Sequence, residues 1–152
     1  MLEFVQATKE DIVSVTPQTA QDNAAAVDYG RSVFDSGQIP LEGKAVAIKE
    51  CGHCVGAYGL VDMWPGVARV WAIFSEDLIA DHPLLLGLHV ARDLKRADHD
   101  GGFRRIEATT GTTHDAGADF LEFLGFKLEG RMRRYDVAGN DTYLYARVHD
   151  EC

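Results

Sequence analysis

The chain has 152 residues, of which 46% are hydrophobic and 26% charged, as in an ordinary globular protein. Its 15 basic and 24 acidic residues give a net charge of -9, a surface that repels nucleic acid. No apolar run approaches the roughly 20 residues of a membrane span, and the N-terminus lacks the basic start and apolar core of a signal peptide. We therefore expect one cytoplasmic domain over residues 1–152 that has neither nucleic acid nor membrane as a partner.

Hydrophobic periodicity and turn residues predict strands and helices that alternate along the chain. The predicted strands are Leu2–Ala7, Ala45–Lys49, Val55–Met63, Val67–Phe74, Phe103–Thr110, Phe126–Tyr135 and Thr142–Val148. The predicted helices are one that starts at Thr8, then Pro17–Phe34, Pro83–Ala97 and Asp115–Leu124. The predicted turns are Gly37–Pro40, Gly52–His53, Trp64–Gly66 and Ala138–Asp141.

The stretch Ala118–Phe126 has the pattern of an amphipathic helix that stops at a glycine. Its apolar stripe consists of Phe120, Leu121, Phe123 and Leu124. Gly125 can take the positive φ that ends a helix, and Phe126 begins a strand that carries Glu129-Gly130-Arg131. A helix closed by Leu-Gly-Phe before a Glu-Gly-Arg strand resembles the C-terminal half of the GNAT acyltransferases. The predicted order of elements is also the GNAT order, over almost the whole chain.

This resemblance implies an α+β, GNAT-like fold, with a mixed seven-stranded sheet whose central strands splay apart and helices that flank it. The splay is expected between Val67–Phe74 and Phe103–Thr110, with the helix His114–Leu124 packed beside it. The resemblance further implies that acetyl-CoA donates an acetyl group to an amine, on a protein substrate or a host protein partner, and that the protein is a monomer or a homodimer. The implied cofactor-binding residues are Ile73, Phe74, Ser75, Leu84, Gly87, His114, Phe120 and Phe123.

The segment before the long helix departs from the family pattern. Active members carry Gln/Arg-x-x-Gly-x-Gly/Ala there, and its backbone N–H groups hold the CoA pyrophosphate. In Ser75–Gly87 there is no arginine, and only Gly87 can stand in for a loop glycine. Pro83 removes one N–H donor, although Asp81-His82-Pro83 also fits an ordinary helix start. Three acids there repel a pyrophosphate: Glu76, Asp77 and Asp81. We therefore expect CoA binding to be weak.

The catalytic positions that the resemblance implies are altered as well. The family's tyrosine, the general acid for the leaving thiolate, falls on Leu121, and its asparagine at the helix start falls on His114. Glu107 is a candidate base that acts through water, or else it forms an ion pair with a neighbour such as Arg105 or Arg133. His114 and Tyr135 are candidate proton donors to the thiolate, and His114 is also a candidate contact of the pantetheine or a surface residue.

A narrower resemblance rests on the acidic turn Ser75–Asp81, on His82-Pro83 and on the helix that follows, which is rich in Arg and Leu. This pattern is similar to GNAT-like proteins of short-tailed bacteriophages, of the internal virion protein A type. It implies a role in the cytoplasm of an infected host, in host takeover or phage assembly. Two classes of function therefore stay open: an acetyltransferase, and a catalytically impaired GNAT-fold protein that binds a host or virion protein.

The segment Cys51-Gly52-His53-Cys54 has the C-x-x-C spacing of a protein disulfide isomerase. That chemistry needs the first cysteine at a helix N-terminus, whereas here the motif joins two predicted strands. A zinc site would need a second pair of ligands. We predict two incidental thiols and no metal. The clusters Arg104-Arg105 and Arg131–Arg134 are interpreted as solvated strand faces, or else as a site for the 3′-phosphate of CoA or for an acidic partner.

Overall fold

The computed structural model describes residues 1–16, 45–136 and 138–149. The predicted helix Pro17–Phe34 and the turn Gly37–Pro40 lie outside them. The strands are β1 (Leu2–Gln6), β2 (Ala45–Glu50), β3 (His53–Trp64), β4 (Val67–Phe74), β5 (Arg105–Gly111), β6 (Lys127–Met132) and β7 (Thr142–Val148). The helices in the described ranges are α1 (Lys9–Ser14), α2 (Glu76–Asp81), α3 (Pro83–Gly101) and α4 (Asp115–Phe123). None of these four helices is long and apolar enough to cross a membrane.

The seven strands form one mixed sheet in the order β1-β2-β3-β4-β5-β7-β6. Only β4 and β5 are parallel, and their ladder runs from the pair Val67–Arg105 to the pair Arg69–Glu107. On its other side, β4 stays paired with β3 as far as Phe74. The strands β4 and β5 therefore diverge after Arg69 and Glu107, and we call this point the fork. The splayed central strands that the sequence predicted are confirmed.

The two faces of the sheet carry separate apolar cores, because successive side chains of a strand point to opposite sides. On one face, which we call the α3 face, Phe74 and Ile106 pack with Leu86 of α3 and Leu121 of α4. On the other, the α1 face, Trp71 and Ile73 pack with residues of α1 such as Ile12. A residue's position along β4 or β5 therefore decides which face its side chain reaches.

Several local predictions are confirmed by caps and turns. Thr8 caps α1, since its Oγ1 accepts a hydrogen bond from Asp11 N at 3.2 Å while Asp11 Oδ2 accepts one from Thr8 N at 3.0 Å. Gly125 has φ 89°, and Phe126 N donates to Leu121 O at 3.0 Å, so α4 ends as the Leu-Gly-Phe pattern predicted. The first hairpin turns one residue earlier than predicted, at Cys51 and Gly52, which both have positive φ.

The segment that the sequence analysis interpreted as a cofactor loop is helical. Ser75 caps α2, because its Oγ accepts a hydrogen bond from Leu78 N at 3.2 Å. Acidic residues in the first turn suit the positive end of a helix dipole, and Glu76 and Asp77 occupy that turn. His82 ends α2 and begins α3, with Pro83 as the first residue of α3. The interpretation of Asp81-His82-Pro83 as a helix start is confirmed.

Candidate functional site

A cavity of about 370 Å³ opens on the α3 face beyond the fork, between the diverging ends of β4 and β5. Its walls are mainly apolar and come from both strands, from α3 and from α4. They include Val70, Ala72, Phe74, Leu86, Val90, Ala108, Phe120, Leu121 and Leu124. Ligand pockets typically measure about 300–1,000 Å³ and carry a few polar groups on apolar walls, so this cavity suits a slender ligand.

Two polar side chains mark the cavity wall where β5 passes into α4. Thr110 is 7% exposed, and its Oγ1 has no hydrogen-bond partner among the residues that the structure describes. His114, which precedes the first residue of α4, is half-buried and also lines the cavity. Gly117 packs against both side chains, and a Cβ there would meet them. The glycine therefore lets a hydroxyl and an imidazole face the same cavity.

These two polar groups differ in what they offer a ligand. A buried hydroxyl without a partner carries a desolvation cost of about 1–3 kcal/mol, which a polar ligand group would remove. Burial lowers the pKa of His114 and outweighs the opposing effect of Asp115, so the imidazole is neutral at pH 7. Thr110 is thus a hydrogen-bonding site that awaits a partner, and His114 is a group that can accept a proton.

The start of α3 has few free backbone donors. His82 N donates to Leu78 O at 3.0 Å, and Leu86 N donates to His82 O at 3.1 Å. Pro83 has no N–H. Only the N–H groups of Leu84 and Leu85 remain in the first turn of α3. The side chain of His82 is also engaged, since its Nε2 lies 3.1 Å from Oε1 of Glu50.

The structure sorts the predicted cofactor-binding residues into two groups. Phe74, His114 and Phe120 line the cavity, and the rings of Phe74 and Phe120 meet edge to face with centroids 5.8 Å apart. Ser75 instead caps α2, and the side chain of Ile73 lies in the core of the α1 face. Contacts of a cofactor with the backbone of these two residues stay a prediction.

Three of the predicted cofactor-binding residues do not line the cavity. Leu84 is 67% exposed and lies outside the cavity wall. Phe123 is 56% exposed, and its ring covers Gly87, where a Cβ would lie only 2.9 Å from Phe123 Cε1. Gly87 is therefore a buried glycine that lets α4 approach α3, and it is not a loop glycine. From the spacing of apolar residues in α4, we expected Phe123 to face the cavity. In the structure its side chain lies over Gly87 of α3 instead.

Glu107 lies on the α1 face, at the fork itself. Its Oε2 accepts a hydrogen bond from Arg69 Nη2 at 2.8 Å, and its Oε1 accepts one from Arg105 Nε at 3.0 Å. Arg105 also binds Glu129 with two hydrogen bonds. Burial would raise the pKa of Glu107, but the two arginines outweigh it and lower that pKa. The predicted ion pair with Arg105 is confirmed, and the carboxylate is a weak base.

The predicted catalytic residues are thus divided between the two faces. Tyr135 accepts a hydrogen bond from Arg69 Nη1 at 3.2 Å, so it lies near Glu107 on the α1 face. His114 faces the cavity on the α3 face. The structure brings Glu107 and Tyr135 together through Arg69 and leaves His114 apart from them.

Sequence reasoning missed Thr110 and Gly117. A usable signal was present in β5, where Ile106, Ala108 and Thr110 share one face and become polar toward the end of the strand. A buried position occupied by threonine at the end of a strand indicates either an internal partner or a ligand. The absence of a partner became visible only with the three-dimensional structure.

The arginine clusters mostly bind neighbouring protein groups. Arg104 donates to Pro65 O at 3.1 Å, and Arg131 Nε donates to Asp141 Oδ2 at 2.6 Å. Together with the Arg105 pairs, these contacts support their interpretation as strand-face residues.

Cys51 and Cys54 flank the tip of the β2–β3 hairpin. Cys51 is exposed in the turn, whereas Cys54 Sγ lies 3.3 Å from Gly56 O. Burial raises the pKa of the Cys54 thiol, which is opposite to the shift that activates a redox cysteine. Within the described ranges, no cluster of three or more His, Cys, Asp or Glu side chains is arranged to hold a metal ion.

We predict that the purified protein neither reduces insulin disulfides nor carries stoichiometric zinc. Cys54 stays protonated, and a hairpin tip gives Cys51 no helix dipole. An insulin-reduction assay and elemental analysis check this prediction. Turnover comparable with thioredoxin, or one zinc per chain, would contradict it.

The sheet order, the parallel pair that splays and the cavity beyond the fork define the fold of the GNAT acetyltransferases. No protein-family model and no curated protein sequence matches the chain. Solved structures match it over nearly its whole length. A GNAT-family acetyltransferase from Bacillus anthracis is 15% identical with a TM-score of 0.68, over 99% of this chain and 96% of that chain.

Two further matches were solved with a ligand. The protein yncA from Salmonella typhimurium, with its cofactor acetyl-CoA, is 16% identical with a TM-score of 0.70, over 99% of this chain and 95% of that chain. RimL, a ribosomal alpha-N-protein acetyltransferase in complex with coenzyme A, is 16% identical with a TM-score of 0.68, over 98% and 94% of the two chains. Identities this low show a shared fold and leave the activity to be argued from the site.

Proposed function

We propose that the protein is a GNAT-type acetyltransferase that uses acetyl-CoA to acetylate an amine. The observation that carries this proposal is the apolar cavity beyond the fork with the unpartnered hydroxyl of Thr110 in its wall. Structures with the same fold hold acetyl-CoA or coenzyme A.

The residues present fit the pantetheine arm of such a donor. Leu86, Phe74 and Phe120 supply apolar walls, and Thr110 supplies a hydrogen-bonding group that the arm's amides can satisfy. When bound, acetyl-CoA supplies the acetyl group that passes from sulfur to the nitrogen of the amine.

Among the candidate catalytic residues, His114 is the best placed to move a proton. It lines the cavity and is neutral at pH 7, so it can accept the proton that the amine loses. Two arginines, Arg69 and Arg105, hold Glu107 ionised, and all three side chains lie on the α1 face, away from the cavity. Leu121 lines the cavity and offers no acid to the leaving thiolate. We therefore expect slow transfer.

We infer further that the acceptor amine belongs to a protein. RimL, which shares the fold, is a protein acetyltransferase, and the net charge of -9 favours a basic acceptor. A bacteriophage origin, with a host protein as acceptor, rests on the Ser75–Pro83 pattern, the Arg- and Leu-rich helix that follows it and the segment His114–Phe126. The Ser75–Pro83 pattern folds as α2 and the first residue of α3.

The second candidate is a GNAT-fold protein that has lost catalysis and binds a host or virion protein. Leu121 at the family's tyrosine position favours it, as does α2 in place of a phosphate-binding loop. Donor binding separates the two candidates, because a pure binding protein has no need of the cavity.

Thr110→Val tests the proposal directly. Valine keeps the shape but removes the hydroxyl, so acetyl-CoA affinity should fall about twofold to tenfold, which corresponds to one hydrogen bond. The free energy of unfolding should stay equal or rise, since a buried group without a partner is removed. Isothermal titration calorimetry and denaturant unfolding measure the two quantities.

Thr142→Val is the matched control, because Thr142 is buried outside the cavity wall. It should leave acetyl-CoA affinity unchanged. If Thr110→Val binds acetyl-CoA as tightly as the parent, the cavity is not the donor site. If the parent shows no binding at millimolar acetyl-CoA, the enzyme proposal fails and the binding-protein candidate replaces it.

A further inference from the structure

The mouth of the cavity lies where β4 passes into α2 and where β5 leads into α4. Pro83, Ala116 and Asp119 line the cavity there and are exposed. A ligand longer than the cavity must therefore leave past the junction of α2 and α3. The nucleotide end of a CoA molecule would lie at this mouth.

Within the described ranges, the junction is poor in groups that bind phosphate. Its first helical turn keeps only the backbone N–H groups of Leu84 and Leu85, since His82 N is bonded to Leu78 O. The short helix that fills the place of a phosphate-binding loop carries exposed carboxylates at Asp77 and Asp81. Asp119 adds a third at the mouth.

Positive charge is also missing from the described part of the cavity wall. None of the residues that line the cavity in the described part of the chain is a lysine or an arginine. The whole chain has a net charge of -9, so the overall electrostatic potential of the protein also repels an anion. The inner part of the site thus favours a neutral arm, and its mouth disfavours a polyanion.

We propose that the donor is recognised through its pantetheine thioester arm, while its nucleotide stays in solvent without a site. This inference rests on the proposed acetyl transfer and narrows it to a donor class, the S-acyl pantetheines. Compounds that lack the nucleotide are then as good ligands as acetyl-CoA itself. The protein then distinguishes ligands by the pantetheine arm that enters the cavity at the fork and not by the phosphates of the nucleotide.

The test compares the binding of S-acetylpantetheine and acetyl-CoA to the full chain by calorimetry. We expect dissociation constants within about tenfold of each other at low salt. Raising the salt from about 20 mM to about 0.5 M should strengthen acetyl-CoA binding, because screening weakens repulsion, and should leave S-acetylpantetheine unchanged.

A double variant, Asp77→Asn with Asp81→Asn, tests whether these two carboxylates repel the nucleotide of acetyl-CoA. At low salt it should bind acetyl-CoA about threefold to tenfold more tightly, because two carboxylates that repel the phosphates are removed. It should bind S-acetylpantetheine as the parent does. The matched control, Asp62→Asn with Asp100→Asn, removes two exposed charges near the ends of β3 and α3 that lie away from the mouth. It should change neither affinity appreciably.

The results of these binding measurements distinguish failure of the inference from failure of the proposed function. If acetyl-CoA binds more than about tenfold more tightly than S-acetylpantetheine, the nucleotide has a site and the inference is overturned while the acetyltransferase proposal stands. If salt weakens acetyl-CoA binding, the inference is overturned in the same way. If neither compound binds, the proposed function falls together with the inference.

Discussion

Replacing Leu121 with tyrosine should raise the rate of acetyl transfer by about two to four orders of magnitude, the usual worth of a general acid. Leu121 is buried in α4 and lines the cavity beside Phe120. A phenol at this position can donate a proton to the leaving thiolate, whereas the leucine has no proton to offer. The free cavity of about 370 Å³ leaves room for the larger ring. Thiol release from acetyl-CoA, with a lysine-rich peptide as acceptor, measures the rate.

Leu121→Phe is the matched control, because it adds the same ring without the hydroxyl. It should leave the rate near that of the parent and fill the cavity equally. Equal rates for the tyrosine and phenylalanine variants would mean that departure of the thiolate is not limiting. The missing acid would then be no explanation for slow transfer.

The sequence predicted most of the fold because its signals were local. The Thr8 cap, the Pro65-Gly66 turn and the Leu-Gly-Phe helix end each depend on a few neighbouring residues. The segment Ser75–Asp81 was misinterpreted because the family pattern calls for a loop there, whereas a serine cap followed by acids is itself a helix start. Local chemistry was the better guide at that point.

The site was predicted less well, because it depends on which face of the sheet each strand residue reaches. Phe74, His114 and Phe120 line the cavity, and their contact with a cofactor stays a prediction. Thr110 was missed because its lack of a partner is a three-dimensional property. Glu107 was named as a candidate base, although the structure pairs it with Arg69, whose contact across the fork no sequence spacing reveals.

Glu107→Gln should lower the free energy of unfolding at neutral pH by about 2–3 kcal/mol. The change leaves the half-buried Arg69 without its carboxylate and leaves Arg105 with Glu129 alone, and breaking such pairs is costly. For a chain of this size, the melting temperature should fall by about 4–12 °C. The rate of acetyl transfer per folded molecule should stay within about threefold of the parent, since the carboxylate is a weak base on the other face of β5.

The lowered pKa of Glu107 determines how the loss of stability in Glu107→Gln depends on pH. Its ordinary value is 4.5, and the folded value lies below it because hydrogen bonds from Arg69 and Arg105 outweigh burial. A carboxylate with a lowered pKa stabilises the fold above its unfolded pKa and loses that contribution as the pH falls through the folded pKa. The difference in stability between the parent and Glu107→Gln should therefore be full at pH 7 and shrink toward zero in acid.

Glu129→Gln is the matched control for Glu107→Gln. Glu129 also binds Arg105, but its side chain is 39% exposed, so its loss should cost less than about 1 kcal/mol. Urea unfolding at several pH values compares the three proteins. A Glu107→Gln variant as stable as the parent at pH 7, but slower in acetyl transfer by more than about tenfold, would return Glu107 to the role of catalytic base.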